Sequence, residues 1–238
     1  MRNKALTFLN ESVKGFFSLI YPNNCVICGT ELPDQNDMIC FKCFGDLHYT
    51  HFEKYDEPTK ADELFWGRIK IEHVYSLLFY EKGTTTQSIL HKIKYQEGQK
   101  LGEYMGRLMG KRLLASKWIE EVDAVFPIPL HSKKNFKRGY NQSRLIADGF
   151  SDVVSIPVVE GISRRRHHES QTRKSKEERW ENVRSIFQVV PEKCEDIKHV
   201  LIIDDVLTTG STLESAAQEI KTYNPEIKVS FATIAIAD

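Results

Sequence analysis

Residues 200–212 constrain this chain more than any other stretch. Val200, Leu201, Ile202 and Ile203 are four consecutive apolar residues, followed at once by Asp204 and Asp205, and then by the hydroxyl-rich Thr208, Thr209, Gly210, Ser211 and Thr212. A continuous apolar run of this length predicts a parallel strand buried on both faces. Leu213, Ala216, Ala217 and Ile220 recur at helical spacing, so a helix with one apolar face begins where the loop ends. The unpaired N–H groups and partial positive charge of that helix start suit an anion, and Gly210 lets the backbone approach it closely. Ionised carboxylates only accept hydrogen bonds, so Asp204 and Asp205 suit hydroxyls or a magnesium ion instead. A ribose carrying a 5-phosphate has both features. A Walker loop is excluded, because neither its first glycine nor its lysine is present before Ser211 and Thr212.

These residues resemble the signature of type I phosphoribosyltransferases, which bind 5-phosphoribosyl-1-pyrophosphate (PRPP). The resemblance implies that Asp204 and Asp205 are the catalytic pair holding the ribose hydroxyls. It also implies that Val206, Leu207, Thr208, Thr209, Gly210, Ser211 and Thr212 form the substrate loop around the 5-phosphate, with Mg2+ accompanying PRPP.

The chain has 238 residues and no net charge, with 41% hydrophobic and 28% charged residues. Such values describe a globular domain plus a small module, and leave any nucleic-acid affinity to local charge clusters. No apolar stretch reaches the length of a membrane span and the N-terminus lacks a signal-peptide pattern, so a cytoplasmic protein is expected. Cys25 and Cys28 form one Cys-x-x-Cys pair, Cys40 and Cys43 a second, with eleven residues between the pairs. Four thiolates fill a tetrahedral zinc site and leave no open position for a water, so structural Zn2+ is expected. Two disulfides are the alternative, which a cytoplasmic location disfavours. Cys194 stands alone.

Leu6, Leu9, Val13, Phe16, Phe17 and Ile20 form one helical stripe. The expected organisation is therefore an amphipathic helix at 1–22, a four-cysteine module at 23–50, a polar linker at 51–68 and a phosphoribosyltransferase domain at 69–238. Within the last, strands are expected at 73–80, 122–128, 200–203 and 229–236, with helices after Gly98, over 138–150 and after the 208–212 loop. Alternating strands and helices imply an α/β domain whose parallel sheet is covered on both sides, with ligands at the carboxyl ends of the strands.

Two basic segments remain. Between Ala124 and Ala147 there are five lysines and arginines and no acidic residue. Lys133, Lys134 and Arg138 there suit a pyrophosphate. The second segment, 164–184, is polar and long, and includes Gln171, Thr172, Arg179, Trp180 and Asn182. It reads either as a flexible hood that closes over PRPP or as a single-stranded DNA contact with Trp180 stacked on a base.

The four-cysteine module, the Pro127-Ile-Pro-Leu130 run with Arg138 to Gln142, the 171–182 segment and the Asp pair together resemble the ComF (ComFC) family, over nearly the whole chain. Tyr140 stands where that family usually has phenylalanine, and Arg173-Lys174 where it often has Gly-Leu. The resemblance implies a type I phosphoribosyltransferase fold with a zinc-finger-like module, and a PRPP-binding role in natural competence. Partners implied are PRPP, single-stranded DNA, a competence helicase and other DNA-uptake proteins, with membrane contact only through them. A nucleobase-salvage transferase and a non-catalytic zinc-bearing adaptor are the alternatives, and the acceptor of any pentosyl transfer is not readable.

Overall fold

The computed structural model describes residues 23–34, 37–55, 57–95, 98–130, 138–165 and 186–237. The expected helix at 1–22, Lys133, Lys134, Gln171, Thr172, Arg179, Trp180 and Asn182 lie outside them.

Four strands carry the fold: β1 (Val74–Tyr80), β2 (Ala124–Pro127), β5 (His199–Leu207) and β6 (Lys228–Ala237). They form one parallel sheet in the order β1-β6-β5-β2. The two central strands are buried along nearly their whole length, because both their faces are covered. Val200, Leu201, Ile202, Ile203, Val229, Phe231 and Ala232 are all fully buried. Two further strands, β3 (Ile162–Arg164) and β4 (Phe187–Val189), pair antiparallel as a separate hairpin flanking the 166–185 stretch. That hairpin was not anticipated, since three-residue strands carry no readable period.

After the short α1 (Phe41–Gly45) of the cysteine module, α3 (Thr85–Lys94), α4 (Gly98–Leu113) and α5 (Gln142–Val154) lie on one face, with Met105, Met109, Ile146 and Phe150 fully buried. Glycines set how closely α4 and α5 approach. A Cβ on Gly106 would stand 2.1 Å from the Ile146 carbonyl oxygen, and one on Gly149 2.0 Å from that of Glu103. On the other face lie α6 (Ser211–Tyr223), the short α2 (Lys60–Glu63) and the β3–β4 hairpin, around Phe65, Phe187, Leu213 and Phe231.

The segment expected as a linker, 51–68, is threaded through this second layer. Ala61 and Phe65 are at most 1% exposed, and the Phe65 ring packs 4.8 Å from that of Phe231. Asp62 ties it down, with Oδ2 accepting from the Thr59 amide at 2.7 Å and Oδ1 from the Val74 amide at 3.1 Å. The polar residues between these anchors masked them in the sequence. No helix of the described residues is long and apolar enough to cross a membrane.

Candidate functional site

β5 runs past its apolar core to Leu207, so Asp204 and Asp205 lie within a strand rather than at the start of a loop. On the β2 side the ladder ends where the Ile128 amide donates to the Ile203 carbonyl, 2.9 Å away. The acid pair thus stands just beyond the carboxyl end of β2, where open α/β sheets take ligands.

The start of α5 fills that corner. Gly139 takes a φ of +76°, which allows the chain to turn between Arg138 and Tyr140. Tyr140 Oη donates to the Ile93 carbonyl at 2.8 Å, and Asn141 Nδ2 to the Ile128 carbonyl at 2.9 Å. Asn141 also caps α5, its Oδ1 accepting from the Ser143 amide at 3.1 Å. Ser143 Oγ then donates to Asp204 Oδ1 at 2.8 Å, an oxygen that also accepts the Asp205 amide at 2.9 Å. The Arg138 to Gln142 motif is therefore the bracket that holds Asp204 in place.

Charge is concentrated here. Asp204 keeps some solvent contact but is walled by protein, and that desolvation, with the neighbouring Asp205 charge second, raises its carboxyl to about 7. Asp205 is 5% exposed, and Lys94 Nζ at the end of α3 forms an ion pair with its Oδ2 at 2.8 Å. The approach is poorly aligned for a hydrogen bond, and Asp205 Oδ2 has no hydrogen-bond partner among the described residues. A buried carboxylate held by one lysine can also accept from a ligand hydroxyl, or take a divalent cation if the lysine gives way. Arg138 donates to Gln142 Oε1 at 3.0 Å and lies 5.3 Å from the centre of the Tyr95 ring, next to Lys94 in sequence. Arg164, at the end of β3, lies within electrostatic reach of Asp204.

The 208–212 loop is open. Thr208, Thr209, Ser211 and Thr212 are exposed, whereas Leu207 is buried and offers only its backbone. Gly210, at φ +74°, is the N-cap of α6 and has no side chain to cap it, and the Ser211 amide reaches only Thr209 Oγ1, at 3.5 Å. Behind it sits the Phe65 ring, which a Cβ on Gly210 would meet at 2.8 Å. Arg68 braces the loop, with Nη1 donating to the carbonyls of Leu64 (2.8 Å) and Thr209 (2.9 Å) and Nη2 pairing with Glu214 in the first turn of α6.

Lys94, Ser143, Arg164 and Arg68 were not identified as site residues from the sequence. Arg164 opens the second basic segment of the sequence, and Ser143 follows the Arg138 to Gln142 motif with no signature of its own. Lys94 and Arg68 lie in segments with no signature and come to the site only through the tertiary fold.

At the other end of the chain, Cys25, Cys28, Cys40 and Cys43 place their sulfurs within 4.8 Å of one another. None is in a disulfide. Zn–S bonds of about 2.3 Å put tetrahedral sulfurs ~3.8 Å apart, so the cluster fits a zinc module. The Thr30 hydroxyl, followed by the Thr30 amide and Cys40, lowers the exposed Cys28 thiol to about 6, whereas desolvation raises Cys43. The module is joined to the sheet edge, with the Thr50 amide donating to the Leu77 carbonyl at 3.1 Å and the Phe79 amide to that of His48 at 2.8 Å. His48 and His51 face Glu81 and Glu53 instead of the cysteines. Cys194 is buried away from the cluster.

Residues 141–237 match the phosphoribosyl transferase domain family. Competence protein F of Haemophilus influenzae is 27% identical over 58% of this chain and 62% of its own length. DNA utilization protein YhgH of Escherichia coli K12 is 27% identical over 55% of this chain and 58% of its own. Competence protein ComFC of Bacillus subtilis is 34% identical over 39% of this chain and 35% of its own. The chain thus spans about six tenths of the length of the first two relatives. Among solved structures, the glutamine PRPP amidotransferase of B. subtilis complexed with ADP and GMP covers 60% of this chain and 30% of its own, at 16% identity and a TM-score of 0.40. With its parallel sheet, its flanking helices and its four-cysteine cluster, the chain carries a phosphoribosyl transferase domain and is a homologue of competence protein F, ComFC and YhgH.

Proposed function

We propose that this chain binds PRPP with magnesium at the carboxyl edge of its sheet and serves the handling of incoming single-stranded DNA. The observation that carries the first part is the pairing of an open, glycine-capped helix start with an adjacent acid pair. The 5-phosphate would take the amides and hydroxyls of 208–212, each charge-assisted hydrogen bond contributing about 1.5–3 kcal/mol. Asp204 and Asp205 would accept from the ribose hydroxyls. Lys94, Arg138 and Arg164 are the described cations near the acid pair, and Lys133 and Lys134 would add to them at the pyrophosphate.

If pentosyl transfer occurs, the bond from ribose C1 to the pyrophosphate oxygen breaks, its electron pair leaves with pyrophosphate, and an acceptor nucleophile forms the new bond to C1. The chain's contribution is positioning and charge stabilisation, so no protein nucleophile is needed. Asp204 and Asp205 would offer carboxylate oxygens to magnesium once Lys94 moves from Asp205 Oδ2, and the ion would neutralise charge on the departing pyrophosphate. The cysteine cluster would hold structural zinc.

The relatives' names, competence protein and DNA utilization protein, support the DNA-handling part. The same reading puts the chain in the cytoplasm, reaching the membrane's inner face through helicase and uptake partners. Calorimetry with PRPP and magnesium tests the site. Micromolar-class, magnesium-dependent binding is expected, and the Asp204→Asn, Asp205→Asn double variant should lose it. Unchanged binding in a folded double variant would overturn the assignment.

A further inference from the structure

Lys94 stands where a metal ion on the acid pair would have to go. It is the last residue of α3, and its Nζ lies 2.8 Å from the buried Asp205 Oδ2. The neighbouring carboxylate is partly committed, because Asp204 Oδ1 already accepts from Ser143 Oγ and the Asp205 amide. Magnesium binds carboxylate oxygens at about 2.0–2.1 Å and keeps several of its waters, so the hydrated ion does not fit at Oδ2 while the ammonium is there. Two cations on one carboxylate oxygen would also repel each other.

The backbone under Lys94 is fixed, and its side chain is not. Ile93 is fully buried, and its carbonyl accepts from Tyr140 Oη at 2.8 Å. The Tyr95 amide closes α3 on the carbonyls of His91 and Lys92, and the Tyr95 ring lies 5.3 Å from the Arg138 guanidinium. A Cβ on Gly98 would stand 2.3 Å from the Lys92 carbonyl oxygen, so the start of α4 is packed against the same turn. The Lys94 side chain, in contrast, keeps 27% exposure. Its flexible four-carbon stem can therefore swing Nζ off Asp205 without moving the strand, the helix or the Arg138 to Gln142 bracket.

An ammonium held by one carboxylate transfers when a more anionic group comes within reach, and a pyrophosphate is such a group. We propose that Lys94 is an internal counter-ion that makes metal binding at the acid pair conditional on PRPP. It holds Asp205 Oδ2 in the ligand-free protein and passes to the pyrophosphate when PRPP arrives, which frees that oxygen for the accompanying magnesium. The acid pair is then never left without a cation. This inference rests on the PRPP reading of the site and adds the order in which its charges exchange.

Mn2+, whose free ion is counted by electron paramagnetic resonance, is the probe, used on the full chain loaded with zinc. Without PRPP, wild type should bind no Mn2+ at the acid pair below millimolar concentration. Lys94→Gln should bind it more tightly by about tenfold or more, and Asp205→Asn in the same chain should remove that gain. Lys94→Arg, which keeps the charge, should exclude Mn2+ as wild type does, and this separates a charge effect from a structural one. With magnesium present, Lys94→Gln should bind PRPP about ten- to a hundred-fold more weakly, as expected for loss of one charge-assisted hydrogen bond. Wild type that binds Mn2+ as tightly as Lys94→Gln would overturn the proposal, and so would unchanged PRPP affinity in a folded Lys94→Gln. If that variant does not fold, wild type decides: Mn2+ binding without PRPP that Asp205→Asn abolishes would overturn it. Failure of wild type to bind PRPP would overturn the PRPP reading and this proposal with it, whereas the other results overturn this proposal alone.

Discussion

Asp204 should be a site of instability as well as of binding, and Asp204→Asn separates the two. Its carboxyl rises from an ordinary 3.8 to about 7, chiefly because protein surrounds it and next because Asp205 is adjacent. A folded-state value above the unfolded one means that the folded protein holds the proton more tightly. The associated stability is present in full below pH ~4 and is lost as pH climbs to about 7. Each tenfold change in proton affinity is worth about 1.36 kcal/mol, which sets an upper bound of ~4 kcal/mol. Halving this for the solvent contact that Asp204 retains leaves about 2 kcal/mol at pH 8. Asparagine keeps the Oδ1 that accepts from Ser143 Oγ and the Asp205 amide, so the substitution removes charge without removing those bonds. For a chain of this size the gain corresponds to a melting temperature higher by about 4–8 °C. Ligand-free wild type and variant should be melted at pH 4.5 and pH 8. The variant should gain at pH 8, its advantage should shrink toward pH 4.5, and PRPP binding should be lost throughout. Equal or lower stability of the variant at pH 8 would refute the reasoning.

Lys94→Met leaves the buried Asp205 charge without its ion pair. Because the Lys94 side chain keeps 27% exposure, the loss should be about 1–3 kcal/mol, short of the ~3–5 of a fully buried pair, and Asp205→Asn in the same chain should recover it in urea melts. Arg68→Ala should weaken PRPP binding about tenfold by unbracing the 208–212 loop, with partial recovery in Arg68→Lys, measured by calorimetry. Gly106→Ala should destabilise by about 1–3 kcal/mol in denaturant melts. The new methyl would meet the Ile146 carbonyl oxygen at 2.1 Å, which outweighs the ~1 kcal/mol gained in helix propensity. Chelation should expose Cys25, Cys28, Cys40 and Cys43 to alkylation, read by mass, while the buried Cys194 stays protected. Metal binding in small modules supplies about 10–16 kcal/mol of folding free energy.

How much of this was legible depended on whether the signal was local. The apolar run at 200–203, the helical spacing from Leu213 and the two Cys-x-x-Cys pairs each reflect contacts within a few residues, and each reads directly. The extension of β5 through Leu207 did not, because Asp204 and Asp205 are strand residues only by virtue of the β6 ladder, where Asp204 pairs with Thr233. Residues 51–68 were misleading because two buried anchors, Ala61 and Phe65, are spaced among Lys60, Glu63, Trp66 and Arg68 without a period. The reach of Arg68 to Thr209 spans 141 residues of sequence, and no local pattern encodes it.

Two helix starts meet the carboxyl edge of the sheet, and their caps divide the work between them. The start of α5 is closed, since Asn141 caps it and Ser143, in its first turn, is bonded to Asp204. Its partial positive charge, with the Ser143 hydrogen bond, offsets only part of the desolvation that raises the Asp204 carboxyl. The start of α6 has glycine at its cap and exposed hydroxyls around it, and the Ser211 amide makes only a long contact of 3.5 Å with Thr209 Oγ1. Exchanging the caps would reverse the arrangement. An asparagine at 210 would have to adopt φ +74° against the Phe65 ring, and its side chain would compete with an incoming anion for the same amides. The choice of glycine at 210 and asparagine at 141 thus leaves one helix start without a capping side chain, as the proposed phosphate site requires, and commits the other to the acid pair.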